Sequence, residues 1–456
     1  MIQLPVYVSR FMDVFRKKGF KIYVVGGSIR DLLLGNPPAG GPKDWDFATS
    51  ATPEKILKLF PKGFYNNKFG TVGISQEEKN PSAGSGLKHI FEVTTFRTEG
   101  DYKDNRRPEK VTWAKTIEED LARRDFTINA IAYDGKIFTD PYKGQEDIKK
   151  KLIRAVGDPD KRFQEDALRL MRAVRLSSEL GFLIEDKTRD SIRNNAKLIK
   201  EISFERIRDE FLRILVSKNP AEGVLFLRSC GLLEQILPEI DACFEIPQKS
   251  PKRHHIYDVG THLVMALKHT PSKDVITRFA TLLHDIGKVK AFKKDEKSGL
   301  ITFYNHEVIG AKQAGQIADR FRLSKNDKDK LVMLVREHQF TVSEIQTDKA
   351  IRRFIRGVGR DNIQDMLDLR TGDRVGSGST ATSWRLDLFK KRLVEVQKKP
   401  FSISDLKIDG KDIMKELKIK PGPQVGKILN ELFEEVVEGK LKNEKKALLE
   451  RMINLK

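Results

Sequence analysis

The chain has 456 residues, with 85 Lys or Arg against 65 Asp or Glu, and its formal net charge is +20. A basic excess of this size points to a polyanionic partner, with nucleic acid as the leading candidate. Cys230 and Cys243 lack C-x-x-C spacing, which argues against a zinc ribbon or a disulfide framework, and no apolar run approaches ~18 residues. We expect a cytoplasmic protein that is neither secreted nor membrane-spanning.

The length predicts roughly three or four domains. Residues 1–157 alternate short β-like runs with helices, which predicts a small α/β head. From about Asp158 onward apolar residues recur at helical spacing, for example in 167–180, 204–216 and 221–233. The predicted fold class is therefore α+β multidomain: the head, 1–157, precedes an all-α neck (158–235), body (236–380) and tail (381–456).

The first motif is a strand, Lys21–Val25, followed by Gly26-Gly27 and a helix from Ser28 to Leu34. Paired glycines let the backbone approach a ligand closely, and a helix N-terminus favours a phosphate. The segment therefore predicts a phosphate-binding turn.

Two carboxylates follow at Asp44 and Asp46. Residues i and i+2 of a strand point the same way, so this spacing predicts a divalent-metal site. Mg²⁺ prefers hard oxygen ligands and keeps waters and substrate phosphates as its remaining ligands, which favours phosphoryl transfer from a nucleoside triphosphate. An exposed turn is the alternative for either motif alone.

Further short strands are predicted at 46–48, 70–74, 89–95 and near 131–133. Residues 76–88 are rich in Ser, Gly, Glu and Lys and predict a hairpin loop without a chemical role. Alternation along the 89–97 strand places Glu92 on one face, where it is either a third carboxylate near the metals or a solvent-facing glutamate.

Arg123-Arg124-Asp125 opens the next polar segment. Guanidinium groups pair with phosphate oxygens through a fork of donors, and an aspartate accepts a hydrogen bond from a ribose hydroxyl. We interpret the segment as a nucleotide-binding motif. The alternative is a surface cluster of ion pairs at a helix start.

The segment 165–175 is predicted to be a helix that carries Asp166, Arg169 and Arg172 near one face. An aspartate that accepts from an exocyclic amine and an arginine that donates to a ring nitrogen would accept cytosine and adenine. Uracil and guanine would leave buried polar groups unpaired. An ordinary charged helix surface is the alternative.

These motifs together resemble those of class II tRNA nucleotidyltransferases, the CCA-adding family. The matching residues cover roughly the first half of the chain, in the family's order: 26–35, 44–46, 123–130, 165–175 and 203–210. Asn36–Lys43 is a longer glycine/proline linker than many members carry.

The resemblance implies that Asp44 and Asp46 bind catalytic Mg²⁺. It also implies a nucleotide site in which the triphosphate is contacted by Gly27, Arg30 and Arg124, and the ribose by Asp125. The base would be read by Asp166 and Arg169, and the pocket would be completed by Arg172 and Arg175.

Seven of the eight histidines fall between His254 and His338, around the string Leu283-His284-Asp285-Ile286-Gly287-Lys288. Imidazole with carboxylate binds divalent transition metals such as Ni²⁺, Mn²⁺ or Co²⁺. The block resembles an HD phosphohydrolase domain. The resemblance implies a set of ligands: His262, His284, Asp285 and Asp373, with His306 and His338 for a second metal.

The segment Gly376–Thr380 predicts a flexible break, and the tail resembles the family's RNA-binding tail. Backbone N–H groups around the Pro421–Pro423 turn, with Lys427, are candidates to hold an RNA phosphate. A plain helical hairpin is the alternative.

The sequence therefore predicts template-independent addition of CCA to tRNA from CTP and ATP. Expected partners are the tRNA 3′ end and acceptor arm, with no membrane and no stable protein partner. Three alternatives stay open: a poly(A) polymerase or an enzyme adding only CC or only A, an HD phosphohydrolase that uses the head only for binding, and a non-catalytic RNA-binding protein.

Overall fold

The computed structural model describes residues 2–35, 44–66, 70–78, 87–99, 102–103, 107–108, 111–248, 256–398, 403–437 and 440–453. The linker 36–43, singled out above, lies outside these residues. Within the described ranges no helix is long and apolar enough to cross a membrane.

The strands of the head are short and follow one another along the first 140 residues. In chain order they are β1 (Ile22–Val25), β2 (Asp44–Thr49), β3 (Phe64–Asn66), β4 (Thr71–Glu78), β5 (Leu87–Thr95), β6 (Arg97–Glu99), β7 (Tyr102–Lys103), β8 (Arg107–Pro108), β9 (Val111–Trp113), β10 (Ala132–Tyr133) and β11 (Phe138–Thr139). Seven of them form one sheet in the order β11-β10-β1-β2-β5-β4-β3. Its β2–β5 pair is parallel, whereas the other neighbours are antiparallel.

The helices of the head are α1 (Val6–Arg16), α2 (Gly26–Leu33), α3 (Pro53–Leu59), α4 (Ile117–Ala122) and α5 (Gly144–Lys150). One face of the sheet packs on an aromatic cluster in which Phe11 of α1 lies 4.9 Å from Phe47 and 4.5 Å from Phe91, measured between ring centroids. The alternation of side chains along β2 and β5 puts these apolar rings on one face and leaves Asp46 and Glu92 on the other.

The predicted strands at 23–25, 46–48, 70–74, 89–95 and near 131–133 all correspond to strands of this sheet. The predicted loop 76–88 is partly wrong, because β4 and β5 pair as far as Glu78 and Leu87. Backbone hydrogen bonds extend a hairpin without apolar side chains, so composition alone misplaces its ends. Residues 79–86 lie outside the described chain.

The remaining elements are helical apart from two small strand pairs, β12 (Leu152–Ile153) with β13 (Leu183–Ile184) and β14 (Lys293–Lys294) with β15 (Ile301–Thr302). The helices are α6 (Pro159–Glu165), α7 (Leu168–Leu180), α8 (Asp186–Asn195), α9 (Phe204–Leu215), α10 (Pro220–Ser229), α11 (Leu232–Ile236), α12 (Pro238–Asp241), α13 (Val259–His269), α14 (Val275–Leu283), α15 (Lys288–Ala291), α16 (His306–Arg320), α17 (Lys325–Glu337), α18 (Asp348–Val358), α19 (Ile363–Gly376), α20 (Trp384–Lys398), α21 (Gly410–Leu417), α22 (Pro423–Val437) and α23 (Lys445–Ile453).

The predicted helix 221–233 is two helices, α10 and α11, because the chain turns at Gly231 with φ of +75°. A left-handed backbone conformation ends a helix and favours glycine. The other two predicted helices match α7 and α9 closely.

The two largest hydrophobic cores divide the described chain near residue 400. The larger core runs from the head through α20. The smaller core contains α21, α22 and α23 and begins near Leu406. The predicted boundary at 380 differs from this packing, because Phe389 of α20 lies 5.4 Å from Phe354 and 5.5 Å from Phe340 in the larger core.

Candidate functional site

A cavity of about 480 Å³ lies where the polar face of the sheet meets α7. It is lined mainly by charged side chains and by the paired glycines: Val25, Gly26, Gly27, Asp46, Phe47, Glu92, Thr94, Arg97, Arg123, Arg124, Asp125, Asn129, Asp166, Leu168, Arg169, Arg172 and Arg206. Most of the residues expected to contact a nucleotide therefore meet in one place.

Two of the carboxylates that line the cavity come from the parallel strand pair. Asp46 on β2 pairs in register with Glu92 on β5, which places both residues side by side on the cavity wall. The backbone N–H of Asp46 donates to Ser28 Oγ at 2.9 Å. Asp44 belongs to the same strand, but its side chain lies outside the described part of the molecule.

Gly26 begins α2, two residues earlier than the predicted start at Ser28. Its φ is +68°, and an added Cβ would lie 3.1 Å from Arg124 Nη1 and 3.2 Å from Asp46 Oδ2. Glycine is therefore required both for the turn and for the close approach of the helix N-terminus to these two charged groups.

Asp120, which no motif of the sequence singled out, forms ion pairs with the two adjacent arginines. Its buried carboxylate accepts from Arg123 Nη2 at 2.9 Å and from Arg124 Nη2 at 3.1 Å. Burial alone would raise the pKa of Asp120, but the guanidinium groups of Arg124 and Arg123 outweigh it and lower the pKa. The spacing of Arg123 and Arg124, three and four residues after Asp120 at the C-terminal end of α4, was the signal available in the sequence.

Asp125 and Arg172 form a second fixed pair across the cavity. Arg172 donates to Asp125 Oδ2 from Nε at 2.8 Å and from Nη2 at 2.6 Å. Burial, the largest influence, would raise the pKa of Asp125, but the charge and hydrogen bonds of Arg172 hold that pKa well below its ordinary value. The pKa of Arg172 is correspondingly raised, chiefly by the Asp125 charge.

Asp166 is not on a helix face as predicted. It occupies the break between α6 and α7 in an extended conformation, and its Oδ1 accepts from Leu168 N–H at 3.1 Å. Its Oδ2 accepts from Arg206 Nη2 at 2.8 Å. A carboxylate that caps the following helix ends the preceding one. Asp166, Arg169 and Arg172 nevertheless line the same cavity.

Arg169 is held rigidly beside Asp166. Its Nη1 donates to Glu165 Oε2 at 2.5 Å and to the Arg162 carbonyl at 3.0 Å, and its Nη2 donates to the Arg123 carbonyl at 3.1 Å. Arg206 belongs to the 203–210 motif, for which the sequence predicted no role. Tertiary packing brings its side chain to Asp166.

Two predicted nucleotide contacts lie outside the cavity lining. Arg175 is buried and donates to Glu210 at 2.5 Å and to Glu179 at 2.9 Å, because one further helical step turns it toward α9. Arg30 donates to Asp31 Oδ1 at 2.8 Å and to Asn129 Oδ1 at 2.9 Å, so it reaches the cavity through a lining residue.

A second cavity, of about 360 Å³, lies in the helical body and contains the histidine cluster. Asp285 sits at its centre: its Oδ1 is 3.1 Å from His306 Nε2 and 3.5 Å from His338 Nε2, and its Oδ2 is 3.3 Å from His284 Nε2. The six predicted ligands form two groups whose donor atoms lie within 4.8 Å of one another: His262, His284 and Asp373, and Asp285, His306 and His338.

The backbone fixes which imidazole nitrogen faces the centre. The Nδ1 atoms of His284, His306 and His338 each lie 2.7 Å from a backbone carbonyl, that of Thr281, Phe303 and Val335 respectively. A carbonyl oxygen can only accept, so each Nδ1 donates to its carbonyl and the Nε2 atom of each ring faces Asp285. Such second contacts are typical of histidines that bind metals.

Glycines let the helices that carry these ligands approach closely. A Cβ at Gly287 would lie 2.1 Å from the His306 carbonyl, and one at Gly372 would lie 2.7 Å from the Ala266 carbonyl. The first contact brings the His284-Asp285 segment to α16, and the second brings Asp373 on α19 to His262 on α13. His262 Nε2 is 3.3 Å from Asp373 Oδ1 as a result.

The two donor sets suit different metals. The head offers carboxylate oxygens, which fit Mg²⁺. The body offers four imidazoles and two carboxylates, which fit transition metals. Lys288 Nζ, 2.6 Å from Asp285 Oδ2, adds a cation to the wall of the second cavity.

Family models match four parts of the chain. One described as the Poly A polymerase head domain matches residues 22–154, and one described as a probable RNA and SrmB-binding site of polymerase A matches 181–244. The HD domain model matches 253–356, and a model described as tRNA nucleotidyltransferase domain 2, putative, matches 308–452.

Individual proteins match over nearly the whole chain or over about half of it. A CCA-adding enzyme of Ligilactobacillus salivarius (strain UCC118) is 33% identical over 459 residues, which covers 96% of this chain and 94% of that protein. A CCA-adding enzyme of Geobacillus thermodenitrificans (strain NG80-2) is 48% identical over 219 residues, which covers 47% of this chain and 50% of that protein. The solved structure of the Bacillus stearothermophilus CCA-adding enzyme in complex with CTP is 27% identical, with a TM-score of 0.70 and coverage of 98% and 96%.

Proposed function

This chain belongs to the family of CCA-adding enzymes, and from that premise we propose which of its residues carry each part of the work. It is a tRNA nucleotidyltransferase that adds CCA to tRNA from CTP and ATP and uses divalent metal ions. The observation that carries the assignment is the parallel register of Asp46 with Glu92 in a cavity that also contains the arginines and Asp166.

Asp44, Asp46 and Glu92 are the residues that would hold Mg²⁺. When bound there, the cation neutralises charge on the triphosphate. In each addition the tRNA 3′-hydroxyl oxygen forms a bond to the α-phosphorus and loses its proton, and the bond from that phosphorus to pyrophosphate breaks.

Arg124 and the backbone at Gly26 and Gly27 bind the triphosphate in this proposal. Arg124 lines the cavity, and its Nε is buried without a hydrogen-bond partner among the described residues. A buried donor of this kind is costly unless a ligand supplies the acceptor. Arg30 orients Asn129, while Asp125 accepts from the ribose and Arg172 holds Asp125 in place. Arg175 acts through Glu210 and makes no direct contact.

Asp166 and Arg169 read the base edge. The Asp166 carboxylate retains lone pairs beyond its bonds to Leu168 and Arg206, so it accepts from the exocyclic amine of cytosine or adenine. Both side chains are held by protein contacts before the base arrives. A rigid acceptor and donor of fixed position discriminate by leaving the wrong base unpaired.

The orientation of the histidine Nε2 atoms favours a second function for the body, metal-dependent phosphohydrolysis. His262, His284, Asp285 and Asp373 would hold one transition metal, and His306 and His338 would share Asp285 in holding a second. Bound metal would lower the pKa of a water molecule. Water then adds to the phosphorus of a phosphomonoester or a 2′,3′-cyclic phosphodiester, one P–O bond breaks, and the leaving oxygen takes a proton.

One assay tests the main proposal. A tRNA that ends before CCA and a tRNA that ends in CC are each incubated with a single nucleoside triphosphate, and the product ends are sequenced. Wild-type protein should add C to the first and A to the second, and Asp46→Asn and Glu92→Gln should fail on both. Glu54→Gln, on the exposed surface of α3, is the matched control. Normal addition by the Asp46 and Glu92 variants would contradict the assignment.

A further inference from the structure

A third cavity, of about 380 Å³, adjoins the histidine-rich cavity and has no assigned role. Its walls combine aromatic and guanidinium side chains with a few hydroxyl and aliphatic groups: Phe340, Thr341, Val342, Arg370, Arg374, Ser383, Trp384, Arg385 and Leu386. Arg370 lines both cavities, so the two lie side by side at this residue.

Trp384 is an open aromatic surface at the start of α20. Its side chain is 62% exposed, although α20 buries Leu386, Phe389, Leu393 and Val396 in the larger core. The Arg385 guanidinium lies 5.0 Å from the Trp384 ring centroid, and Glu344 fixes Arg385 through two contacts of 2.7 and 3.2 Å. Arg385 therefore lies over one face of the ring, and the exposed remainder of its surface can stack on a planar ligand.

Arg370 connects this ring to the candidate metal centre. Its guanidinium lies 5.5 Å from the Phe340 ring centroid, and its Nη1 donates to Asp373 Oδ2 at 3.4 Å. Tyr304 is 77% exposed and also lines the second cavity. The two adjacent cavities therefore combine candidate metal ligands, an arginine and exposed aromatic rings.

We propose that the two adjacent cavities together bind the last two nucleotides of a single-stranded RNA 3′ end. The terminal phosphate lies at the histidine cluster, Arg370 contacts the bridging phosphate, and the penultimate base stacks on Trp384. Stacking on aromatic rings combined with cationic contacts to phosphate is how proteins hold single-stranded RNA, and the +20 charge suits a polyanion.

This inference rests on the proposed hydrolase function and specifies its substrate class: oligonucleotide ends in preference to mononucleotides. Full-length protein loaded with Mn²⁺ is assayed on three substrates, a trinucleotide with a 2′,3′-cyclic phosphate end, the corresponding cyclic mononucleotide, and p-nitrophenyl phosphate. Wild-type kcat/KM should be highest for the trinucleotide. Trp384→Ala should lower that value about tenfold and leave p-nitrophenyl phosphate unchanged.

Controls separate stacking from a general loss of structure. Trp384→Phe retains an aromatic ring and should restore most of the preference, whereas Trp113→Ala removes a 46% exposed tryptophan of the head and should change nothing. Equal losses on all three substrates, or no loss on the trinucleotide, would overturn the subsite.

A binding measurement keeps the two proposals distinguishable. The difference in tryptophan emission between wild type and Trp384→Phe reports on Trp384 alone, and a trinucleotide with a 3′-phosphate should quench it while inorganic phosphate should not. Quenching without hydrolysis of any substrate would support the subsite and contradict the hydrolase. Hydrolysis without quenching and without a preference for the trinucleotide would support the hydrolase and contradict the subsite.

Discussion

The head and the body prepare their candidate sites in opposite ways. In the head cavity the charged groups are paired with one another, Asp120 with Arg123 and Arg124, and Asp125 with Arg172, while Glu92 stays exposed. In the body the six candidate ligands are buried or nearly so and form two neighbouring groups. The head cavity is therefore a frame of paired charges, whereas the body presents two sets of donor atoms that the fold itself brings together.

The largest expected effect tests whether the head depends on its metal carboxylates. Asp46→Asn should lower CCA addition by at least about 10³-fold, because metal-assisted transfer relies on charge that no neighbour replaces. Binding of tRNA, measured by gel shift, should stay within about threefold of wild type because phosphate contacts elsewhere supply it. CCA addition by Asp46→Asn within about tenfold of wild type would show that the head does not depend on this carboxylate.

The next test measures whether the candidate metal centre of the body acts independently of CCA addition in the head. His284→Ala should abolish binding of Mn²⁺, Ni²⁺ or Co²⁺, measured as bound metal after dialysis, and should lower any phosphohydrolase activity at least about 100-fold. Incorporation of CTP and ATP should be unchanged, since the head uses other residues. His269→Ala, which alters an exposed histidine of α13, is the control. A loss of CCA addition in the His284 variant would mean that the two sites are coupled.

A smaller effect is expected on base choice. Asp166→Ala should reduce discrimination against UTP and GTP by about 100-fold, because the acceptor that opposes their carbonyl groups is removed. Competition between nucleotides at a tRNA end lacking CCA measures the ratio directly. Asp186→Ala, at an exposed position of α8, should keep the wild-type ratio. Full discrimination by the Asp166 variant would assign base choice to other groups.

The smallest effect concerns the stability of the rigid frame. Asp125→Asn should lower the free energy of unfolding of the head by about 2 kcal/mol at pH 7, because it leaves Arg172 without its counter-charge. The folded pKa of Asp125 lies below its unfolded value of about 3.9, so the stabilisation is full above about pH 5 and declines as the pH falls below about 4.

Urea unfolding followed by the fluorescence of Trp45, buried in the head core, measures this difference. The substitutions Trp113→Phe and Trp384→Phe, made in both proteins, remove the fluorescence of the other two tryptophans. The gap between wild type and Asp125→Asn should narrow on acidification from pH 5 to pH 3. A gap that is independent of pH would show that the Asp125 charge contributes nothing to the frame.

Short motifs of the sequence predict the class of each candidate site, because the residue types that carry chemistry can be read from one dimension. Asp44-x-Asp46, Arg124-Asp125 and the His284-Asp285 string predict oxygen and imidazole donors, and strand alternation predicts that Glu92 lies on one face of its strand. The structure brings the six residues predicted as body ligands into two groups that could each hold a metal ion. These predictions needed only local geometry and the ordinary preferences of side chains.

The contacts between charged groups depend on tertiary packing. Asp46 neighbours Glu92 through a parallel strand pairing, Asp166 meets Arg206 from 40 residues away, and Arg175 turns to Glu210 instead of the cavity. Strand register and helix packing fix such contacts, and both depend on long-range burial that spacing along the chain does not record. Long-range contact also explains why α6 ends before Asp166. The hydrogen bonds of Asp166 to the Leu168 N–H and to the Arg206 guanidinium outweigh the local helical pattern.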